Sequence, residues 1–496
     1  MTVIHWFRRD LRLLDNTAWN AAVRASGGDV LPVFVLDEDL LKGHAVAPAR
    51  VQFMLDSLRE LDANLRKRGS RLILLRGNAQ TALVKLAKAT SAAALHYNRD
   101  YTPAARKRDE QVSAALLAEG TPTQSHKDLV IWEEDELLTG TQKPYTVFTP
   151  YKKSWLARAG TVNVDRLSAY TLNAPPKIDG EIAVPTAKEL GFATNQQVPK
   201  GGETEASRLL NAFAESEHLD SYNTERDFPA IEGTSRLSPH LRFGTVSPRV
   251  CYELAAKNVN YIIPSRQSLS PQSSDPKKAG GDSWISELIW REFYMQVLFH
   301  FPHSDTGNFN KVYDAMVWGS GSEAKDKAWF QAWCEGKTGF PMVDAAMRQL
   351  NATAWMHNRC RMIVASFLTK DLLIDWRLGE RYFMQKLVDG DPACNNGGWQ
   401  WAASTGTDAQ PYFRVFNPIL QSERFDKNGD YIRKWVPELA RVPTEYIHEP
   451  WNLPPMLQLQ TNCVVGKTYA ERIVDHMVQK DKAIAMFKAA TNKSQT

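Results

Sequence analysis

The sequence predicts two structural classes in one chain, an α/β domain at the N-terminus and an all-helical domain after it. Short apolar segments alternate with helical patterns over the first 130 residues, the rhythm of a doubly wound, Rossmann-like parallel sheet with right-handed crossovers. From about residue 205 the strand pattern disappears and helical patterns dominate. We therefore expect an α/β domain at 1–130, an interdomain connector at 131–204 and an all-helical domain at 205–496.

The predicted strands are four short apolar segments. They are VIHWF (3–7), VLPVFVL (30–36), RLILL (71–75) and AALHY (93–97). A long helical pattern between the second and third segments ends at Gly69. Ligands of such sheets lie beyond the carboxyl ends of the strands. No glycine-rich fingerprint follows the first strand, so a nucleotide there would not be held in the usual dinucleotide manner.

The connector is predicted from prolines and weak periodicity in residues 158–204, which contain Pro175, Pro176, Pro185 and Pro199. The helical patterns that follow cover 203–222, 283–301 and 339–376. A Ser/Pro/Gly-rich loop is expected at 264–282. The stretch GSGSEA (319–324) resembles a nucleotide motif, but no strand precedes it, which favours a loop.

Composition restricts the class of protein. Of 496 residues, 43% are hydrophobic and 23% charged, as in ordinary globular proteins, but 15 Trp is a high number for this length. Trp is abundant where a core, a stacking platform or an interface uses its ring. A net charge of +4 permits a nucleic-acid partner without requiring one, so any basic surface must be local.

The five cysteines are widely spaced, with no CxxC pair, and indicate neither a disulfide framework nor a zinc site. Reduced thiols in an intracellular, cytoplasmic protein are the expectation. The N-terminal segment has no long apolar run, and no stretch reaches membrane-spanning length, so we expect neither a signal peptide nor a membrane span.

Three stretches concentrate residues with chemical potential. In EGTSRLSPHLRFG (232–244), Thr234, Ser235 and Ser238 precede Pro239, which fits either a helix start capped by Ser238 or an anion site made of hydroxyls and free backbone N–H groups.

In SWISELIWREF (283–293), helical spacing places Trp284, Glu287, Trp290 and Arg291 on one broad face. Glu287 could be an ion-pair partner. It could instead be a carboxyl in a partly dry cleft, where its pKa would rise and it could hydrogen-bond a base.

The third stretch, WMHNRCRM (355–362), aligns Trp355, Asn358 and Met362, with Arg359 and Arg361 pointing elsewhere. Arginines beside apolar periodicity indicate that at least one pairs with a buried acid or a phosphate, and Asp389 and Asp391 are candidate partners. These acids open DGDPACNNGGWQW (389–401), which is a poor helix by propensity and a poor strand by pattern. The alternative interpretation is an acidic turn that leads into a buried, Trp-rich helix. An Asp-Gly-Asp metal site is the rival, but few further ligands lie nearby, so no metal is expected.

Five ordered motifs carry a resemblance to a known family. They are WFRRDLRLLDN, RDFPAIEGTSRLSPHLRFG, ELIWREFYMQ, the stretch from TGFPMVDAAM to RYFM (338–384), and the stretch from DGDPACNNGG to RVFNP (389–418). Together they resemble the photolyase/cryptochrome family, in particular the class I cyclobutane pyrimidine dimer (CPD) photolyases. The resemblance implies an N-terminal antenna domain and a C-terminal helical domain that holds FAD beneath a cavity for a flipped-out dimer. It also implies light-driven repair, in which reduced, anionic FAD gives an electron to the dimer and regains it after the ring splits.

The resemblance assigns the residues of the FAD site by position. The phosphate cradle would comprise Tyr222, Thr234, Ser235, Arg236, Leu237 and Ser238. The floor between flavin and substrate would comprise Trp284, Glu287, Arg291, Trp355 and Asn358. Arg361 with Asp389 would flank the flavin ring, with Asp391 close by and Asn395 facing flavin N5. The lesion cavity would be lined by Trp290, Met362 and Trp401.

A photoreduction path is implied through Trp399, Trp376 and Trp318, although VWGSGSEAKDKAW spaces Trp318 differently from relatives. The expected partner is UV-damaged DNA, duplex or single-stranded, bound by a monomer. Candidate phosphate contacts, which position without reading sequence, are Arg226, Arg359, Arg414 and Arg424.

Two alternatives within the family are less favoured. A blue-light receptor of the cryptochrome type often replaces the N5-facing Asn and carries a tail beyond the core, whereas this chain has Asn395 and ends shortly after the helical domain. Repair of six-four photoproducts would be expected to need His where this chain has Asn358 and Met362.

The second chromophore is expected to be held by pocket shape and a few polar groups. Relatives that bind a folate pterin resemble one another in an Asn-Glu pair where this chain has Ala104 and Ala105. Relatives that bind a deazaflavin look more like this chain, with Arg50, Asp100 and a basic residue at the place of Arg242. A cationic pocket would stabilise an ionised deazaflavin oxygen. The expected antenna is therefore 8-hydroxy-deazaflavin, with FMN and methenyltetrahydrofolate as alternatives.

Overall fold

The computed structural model of the chain describes residues 1–43, 46–167, 170–258 and 276–493. The N-terminal part alternates strands and helices as the sequence predicts. Its elements are β1 (Val3–Phe7), α1 (Thr17–Ser26), β2 (Val30–Leu36), α2 (Glu38–Leu41), α3 (Pro48–Arg66), β3 (Ile73–Arg76), α4 (Ala79–Thr90), β4 (Ala94–Asn98), α5 (Pro103–Ala118) and β5 (Thr123–His126).

The five strands form one parallel sheet in the order β3-β2-β1-β4-β5, which confirms the predicted doubly wound topology. Alternate residues of β1 and β2 pack into two apolar cores, one on each face of the sheet. Ile4 and Trp6 lie in one core, and Val3 and Phe7 in the other. The sequence prediction missed β5 because its TQSH sequence lacks the apolar character of a central strand, as befits an edge.

The longer regular elements in the rest of the described chain are helices. Its α-helices are α6 (Phe148–Arg158), α7 (Glu203–Glu215), α8 (Glu217–Asp220), α9 (Tyr222–Glu225), α10 (Ser238–Phe243), α11 (Pro248–Asn258), α12 (Pro276–His300), α13 (Ala324–Glu335), α14 (Pro341–Thr353), α15 (Asn358–Ser366), α16 (Trp376–Lys386), α17 (Pro392–Ala403), α18 (Pro418–Phe425), α19 (Asp430–Trp435), α20 (Pro455–Thr461) and α21 (His476–Lys493). A π-helical turn, Phe367–Asp371, follows α15. The domain boundaries at 130 and 204 stay a prediction; the expected connector contains α6.

The predicted loop at 264–282 is partly wrong. Residues 264–275 lie outside the described residues, but 276–282 already belong to α12. A Cβ on Gly280 would lie 2.1 Å from the carbonyl oxygen of Leu219, so the glycine lets α12 approach the backbone of α8 closely. This packing outweighs the weak helix propensity of two consecutive glycines.

A buried ion-pair network joins the sheet domain to the helical domain. Asp128 accepts hydrogen bonds from Arg12 and Arg249, each at 2.7 Å, and Arg249 also bonds Asp15 at 2.9 Å. Burial disfavours ionised Asp128, but Arg12 and Arg249 hold its pKa below the ordinary value. Arg12 further donates to the carbonyl of Gly244 at 3.0 Å. The RRDLRLLDN motif therefore fixes the two domains to each other.

Two stacked histidines in the sheet domain predict acid sensitivity. The rings of His96 and His126 have centroids 5.2 Å apart, with Nδ1 of His96 3.1 Å from Nε2 of His126. Burial, together with nearby histidines, lowers the pKa of each to about 4 from an ordinary 6.5. The folded state therefore binds fewer protons than the unfolded state between these values, so we expect the free energy of unfolding to fall as the pH drops from about 6.5 toward 4.

The pair's contribution is measured by the denaturant midpoint at pH 7 and pH 5. His96→Gln should remove about 1–2 kcal/mol of the acid-induced loss between pH 7 and pH 5, since each pKa unit corresponds to about 1.4 kcal/mol. His303→Gln, at an exposed imidazole, is the matched control. Equal pH dependence in wild type and His96→Gln would contradict the prediction.

Candidate functional site

A cavity of about 510 Å³ opens in the helical domain and is lined by the loop at 234–237 and by α10, α12, α15, α16 and α17. Its volume lies in the range of small-molecule and cofactor sites. Every residue predicted for the FAD site lines it. These residues are Tyr222, Thr234, Ser235, Arg236, Leu237, Ser238, Trp284, Glu287, Arg291, Trp355, Asn358, Arg361, Asp389, Asp391 and Asn395.

The hydroxyl groups at one end are positioned by tryptophans. Trp284 Nε1 donates to Ser235 Oγ at 3.4 Å, and Trp355 Nε1 donates to Ser238 Oγ at 3.3 Å. The predicted helix start is confirmed, since α10 begins at Ser238, but Ser238 is not its cap: Leu237 is the capping residue and makes no side-chain cap. The Ser238 hydroxyl bonds the Trp355 indole from the first residue of α10. The arrangement supports the anion-site interpretation of this stretch.

Arg361 and Asp389 form the predicted ion pair at 2.7 Å. Helical spacing had placed Arg361 away from Trp355, which is wrong, since Trp355 precedes α15 and both side chains line the cavity. The Asp389 side chain is 3% exposed and its Oδ1 has no hydrogen-bond partner among the described residues. A buried carboxylate oxygen without a donor is costly, so a ligand with an N–H or O–H group fits this position.

Asn395 is oriented by Glu380. Its amide nitrogen donates to the Glu380 backbone oxygen at 3.0 Å and to the Glu380 carboxylate at 2.7 Å. Because both contacts use the nitrogen, the carbonyl oxygen is the part of the amide available to the cavity. Burial raises the pKa of Glu380, which Asn395 partly offsets.

Glu287 pairs with Arg226 at the cavity wall, and the two side chains are 32% and 30% exposed. Burial raises the pKa of Glu287, although Arg226 opposes this shift. Both sequence interpretations therefore apply, because the carboxyl has an ion-pair partner and also lies in a partly dry cleft. Arg226, predicted as a phosphate contact, is engaged with Glu287 here.

The predicted lesion-cavity residues Trp290, Met362 and Trp401 also line the cavity. One face of the Trp290 ring is covered by Phe148, with centroids 3.6 Å apart and planes within 6°. Stacking on Phe148 fixes the indole so that another flat ring could stack against Trp290. Sequence reasoning missed Phe148, which lies in the expected connector.

The segments that carry the three tryptophans of the predicted electron path contact one another. Trp399 lines the cavity, and its ring packs on Gly379 of α16, the helix that begins at Trp376. Gly319, next to Trp318, pairs with the backbone at Leu373 and Asp375. Trp376 is 1% exposed and its Nε1 donates to Asn308 at 3.0 Å, while Trp318 is partly exposed.

Close packing at Gly379 predicts a stability loss. A Cβ there would lie 2.1 Å from Cη2 of Trp399 and 2.6 Å from Cδ2 of Leu368. Gly379→Ala should therefore lower the free energy of unfolding by about 1–3 kcal/mol through overpacking. Urea unfolding measures this. Gly398→Ala, where a Cβ meets nothing within 4 Å, is the matched control, and equal stability of the two variants would contradict the prediction.

The predicted antenna residues lie at the domain interface. Arg242 lines the main cavity, and its Nε donates to Gly390 O at 2.8 Å; burial beside Arg9 lowers its pKa to about 9. Arg50 donates to Leu387 O at 3.0 Å, and burial lowers its pKa to about 10.

Asp100, the third of these residues, pairs with Arg9 at 3.3 Å. Arg9 also bonds Asp391, the N-cap of α17. These residues thus form an interdomain charge network, while Asp100 also lines a small crevice separate from the main cavity.

The other arginines predicted to contact DNA differ in their exposure to solvent and in their ion pairing. Arg414 and Arg424 are exposed. The Arg359 side chain is 15% exposed, pairs with Asp227 at 2.7 Å and lies over the Phe425 ring.

Several lining residues were missed by sequence reasoning: Leu241, Leu288, Tyr294, Met356, Ala365, Phe383, Leu387, Gly390, Cys394 and Gly398. Most are apolar residues at helical spacing, which the sequence cannot separate from core residues. In the described part of the chain, no set of three or more His, Cys, Asp or Glu side chains is grouped to hold a metal ion. No helix among the described residues combines the length and apolar character needed to cross a bilayer.

Two family models match the chain. Residues 3–170 match the model described as DNA photolyase, and residues 284–489 match the model described as the FAD binding domain of DNA photolyase. The chain is 42% identical to a deoxyribodipyrimidine photo-lyase of Halobacterium salinarum over 98% of this chain and 99% of the relative.

Solved structures agree with these matches. A class III photolyase from Agrobacterium tumefaciens is 36% identical with a TM-score of 0.86, covering 99% of this chain and 98% of its own. An archaeal photolyase from Sulfolobus tokodaii, described with two FAD molecules, is 32% identical with a TM-score of 0.79, covering 99% of this chain and 100% of its own.

Proposed function

Because the chain belongs to the photolyase/cryptochrome family, we propose that it is a light-driven carbon–carbon lyase that repairs cyclobutane pyrimidine dimers in DNA. One observation carries the proposal. A single cavity gathers the hydroxyl end, the Arg361–Asp389 pair and the oriented amide of Asn395 beside the aromatic wall of Trp290 and Trp401. Relatives named deoxyribodipyrimidine photo-lyase match over nearly their full length.

The residues present fit FAD. The hydroxyls of Thr234, Ser235 and Ser238 suit phosphate oxygens. Asp389 Oδ1, which has no hydrogen-bond partner within the described part of the chain, suits an N–H donor of the cofactor. When bound, reduced FAD supplies the light-excited electron that opens the cyclobutane ring. The carbonyl oxygen of Asn395, held by Glu380, would face N5, where an acceptor suits the reduced, anionic form.

The substrate side of the cavity would hold the flipped-out dimer. Trp290 and Trp401 offer flat rings for stacking, and Met362 gives an apolar contact that adapts to its shape. A dimer is already poorly stacked in DNA, which lowers the few kcal/mol that flipping costs. Glu287, which lines the cavity, would hydrogen-bond a dimer carbonyl as negative charge develops there.

A repair assay tests the proposal directly. The purified protein, loaded with FAD and reduced by dithionite, is illuminated with an oligonucleotide that carries one thymine dimer, and restored thymines are quantified. We expect repair only in the light and only with reduced FAD. Failure to repair under these conditions, with FAD bound, would reject the function.

Two alternatives have separate outcomes. A cryptochrome-type receptor would bind FAD and respond to blue light without restoring thymines. A six-four photolyase would repair six-four photoproducts instead, but this chain has Asn358 and Met362 lining the cavity where histidines would be expected.

The antenna is proposed to be 8-hydroxy-deazaflavin, ahead of FMN and methenyltetrahydrofolate. Support comes from the cationic groups of Arg9, Arg50 and Arg242, which act on one another across the domain interface. A phenolate-like oxygen would be stabilised beside them. Reconstitution with each chromophore, followed by energy-transfer measurements, decides among them, and tight uptake of the folate alone would reject the deazaflavin.

Binding to dimer-containing DNA should weaken steeply with salt, because each arginine–phosphate contact releases counterions. Arg414 is exposed, so Arg414→Ala should lower the slope of log K against log salt by about one unit. Arg359→Ala should have a smaller effect, since Asp227 competes with phosphate for that guanidinium.

Fluorescence titration at several salt concentrations measures the slopes. Arg24→Ala, at an exposed arginine of α1, is the control. An unchanged slope for Arg414→Ala would remove Arg414 from the contacts. A monomer in the cytoplasm, associated with DNA, is the proposed working state.

A further inference from the structure

The segment that follows α17 is bonded to one aromatic wall of the cavity. We refer to residues 404–414 as the α17 loop. The backbone N–H of Gln410 donates to the carbonyl oxygen of Trp401 at 3.3 Å. Gln410 Nε2 donates to the carbonyl oxygen of Arg414 at 2.6 Å, and Arg414 is exposed. The loop therefore holds a proposed phosphate contact in a fixed relation to Trp401.

The same loop is bonded to the start of α6. Thr407 Oγ1 donates to the carbonyl oxygen of Thr146 at 2.6 Å. The backbone N–H of Phe148, the first residue of α6, donates to the carboxylate of Asp408 at 3.0 Å. The capping residue Val147 provides no side-chain cap. Asp408 thus satisfies, from 260 residues further along the chain, an N–H group for which a helix has no intrahelical partner.

Phe148 extends this connection to the other aromatic wall. Its ring stacks on Trp290 with centroids 3.6 Å apart and planes within 6°. The Phe148 ring also meets Phe293 edge-on at 5.8 Å, and Phe293 is fully buried. The confined Phe148 ring restricts the Trp290 indole, because a tilted indole would lose the parallel contact.

The backbone at Asp408 shows that the connection is held under constraint. Its φ angle is 45°, in the left-handed region, which residues other than glycine seldom adopt. Such a conformation persists where the surrounding contacts determine it. Here the bonds from Phe148 to Asp408 and from Thr407 to Thr146 supply those contacts.

We propose that Phe148 and Asp408 are positioning residues for dimer recognition, a role that rests on the proposed repair function. Through Phe148 and the α17 loop, Trp290, Trp401 and Arg414 belong to one connected unit. The unit holds the two indoles ready for a flipped-out dimer while Arg414 meets the phosphates. Undamaged DNA can use the phosphate contact without entering the cavity, so the unit favours the dimer.

Binding measurements in the dark test the role of Phe148. The full-length protein with FAD bound is titrated with an oligonucleotide that carries one thymine dimer and with the same oligonucleotide undamaged. Phe148→Leu should weaken binding of the dimer by about three- to tenfold, the worth of an aromatic contact, and leave binding of undamaged DNA unchanged. Phe148→Tyr keeps the flat ring and should retain the wild-type preference.

The matched control is Phe330→Leu, because Phe330 stacks on Trp333 with planes 17° apart and neither ring lines the cavity. This variant should keep the wild-type preference for the dimer. The FAD absorption spectrum and the melting temperature of each variant show that it is folded and loaded.

Two substitutions at Asp408 test the loop bond in the same assay. Asp408→Gly removes the acceptor of the Phe148 N–H but permits the left-handed backbone. The loss of this hydrogen bond should lower the preference for the dimer by about two- to tenfold. Asp408→Asn keeps an oxygen acceptor and tolerates the same backbone conformation, so it should restore the preference.

The outcomes distinguish this role from the repair function. Wild-type preference in Phe148→Leu or in Asp408→Gly, in a chain whose wild type binds and repairs dimers, would overturn the role of that residue alone. Equal weakening of dimer and undamaged DNA would overturn it too, since a general loss of binding is not a loss of recognition. Failure of the wild type to prefer and to repair the dimer would reject the repair function itself.

Discussion

Trp376→Phe should reduce the photoreduction of oxidised FAD to the background rate while leaving repair by chemically reduced protein at the wild-type level. Phenylalanine retains much of the packing of a side chain that is 1% exposed, but its ring is far harder to oxidise. The variant also loses the 3.0 Å hydrogen bond from the Trp376 indole to Asn308. We expect this loss to affect photoreduction much less than the loss of the electron donor. Absorption spectra recorded under blue light with a thiol present measure the photoreduction of FAD. A repair assay after reduction with dithionite measures the repair activity.

A second aromatic route would be the main reason for this prediction to fail. The ring centroids of Trp333 and Trp399 lie 6.0 Å apart. The Trp333 ring is fully buried, and its Nε1 donates a hydrogen bond to Val364 O at 3.0 Å. Trp333→Phe is therefore the matched control, and it should photoreduce normally. Normal photoreduction in Trp376→Phe, together with loss in Trp333→Phe, would move the path to Trp333.

Glu287→Ala should slow dimer opening by about tenfold or more and lower the repair yield while FAD stays bound. A hydrogen bond to a group that gains charge is worth about 1.5–3 kcal/mol, and 1.4 kcal/mol corresponds to a factor of ten in rate. Burial raises the pKa of Glu287, and the neighbouring Arg226 opposes this shift. The quantum yield of repair at saturating dimer concentration measures this contribution.

Glu287→Gln separates the hydrogen bond from the ion pair. The amide can still donate to a carbonyl, but it removes the negative charge that faces Arg226. Near wild-type yield in Glu287→Gln and a low yield in Glu287→Ala would assign the effect to donation. Wild-type yield in Glu287→Ala would make the residue a structural ion-pair partner.

Periodicity and composition sufficed for four of the five strands and for the change to helices, because apolar strands and long amphipathic patterns are local properties. The helix at 392–403 confirms the alternative of an acidic turn followed by a Trp-rich helix, although helix propensity alone did not favour it. Asp391 caps it and Pro392 begins it, but Gly397 and Gly398 weaken its propensity. A Cβ on Gly397 would lie 2.2 Å from the Tyr294 ring, so packing against α12 explains the glycine.

In the candidate site, too, local sequence patterns predict some features and tertiary packing determines others. Motif resemblance identified the residues that line the cavity, including Asn395 and Asp389. The contact between Glu380 and Asn395, the cover of Trp290 by Phe148 and the pairing of Arg359 with Asp227 depend on tertiary geometry, and no spacing in the sequence encodes them. Apolar lining residues such as Leu288 look identical to core residues in sequence.

The buried network of Arg12, Asp15, Asp128 and Arg249 limits how antenna modules can be exchanged between relatives. A chimera that transplants the first 130 residues onto another helical domain brings Arg12, Asp15 and Asp128 with it, and its acceptor must offer an arginine at the place of Arg249. Without that arginine, the graft would bury a surplus carboxylate, which is strongly destabilising. An exchange of antenna domains that aims to change the absorbed wavelength therefore has to match the charges at the domain interface before the chromophore pocket is redesigned.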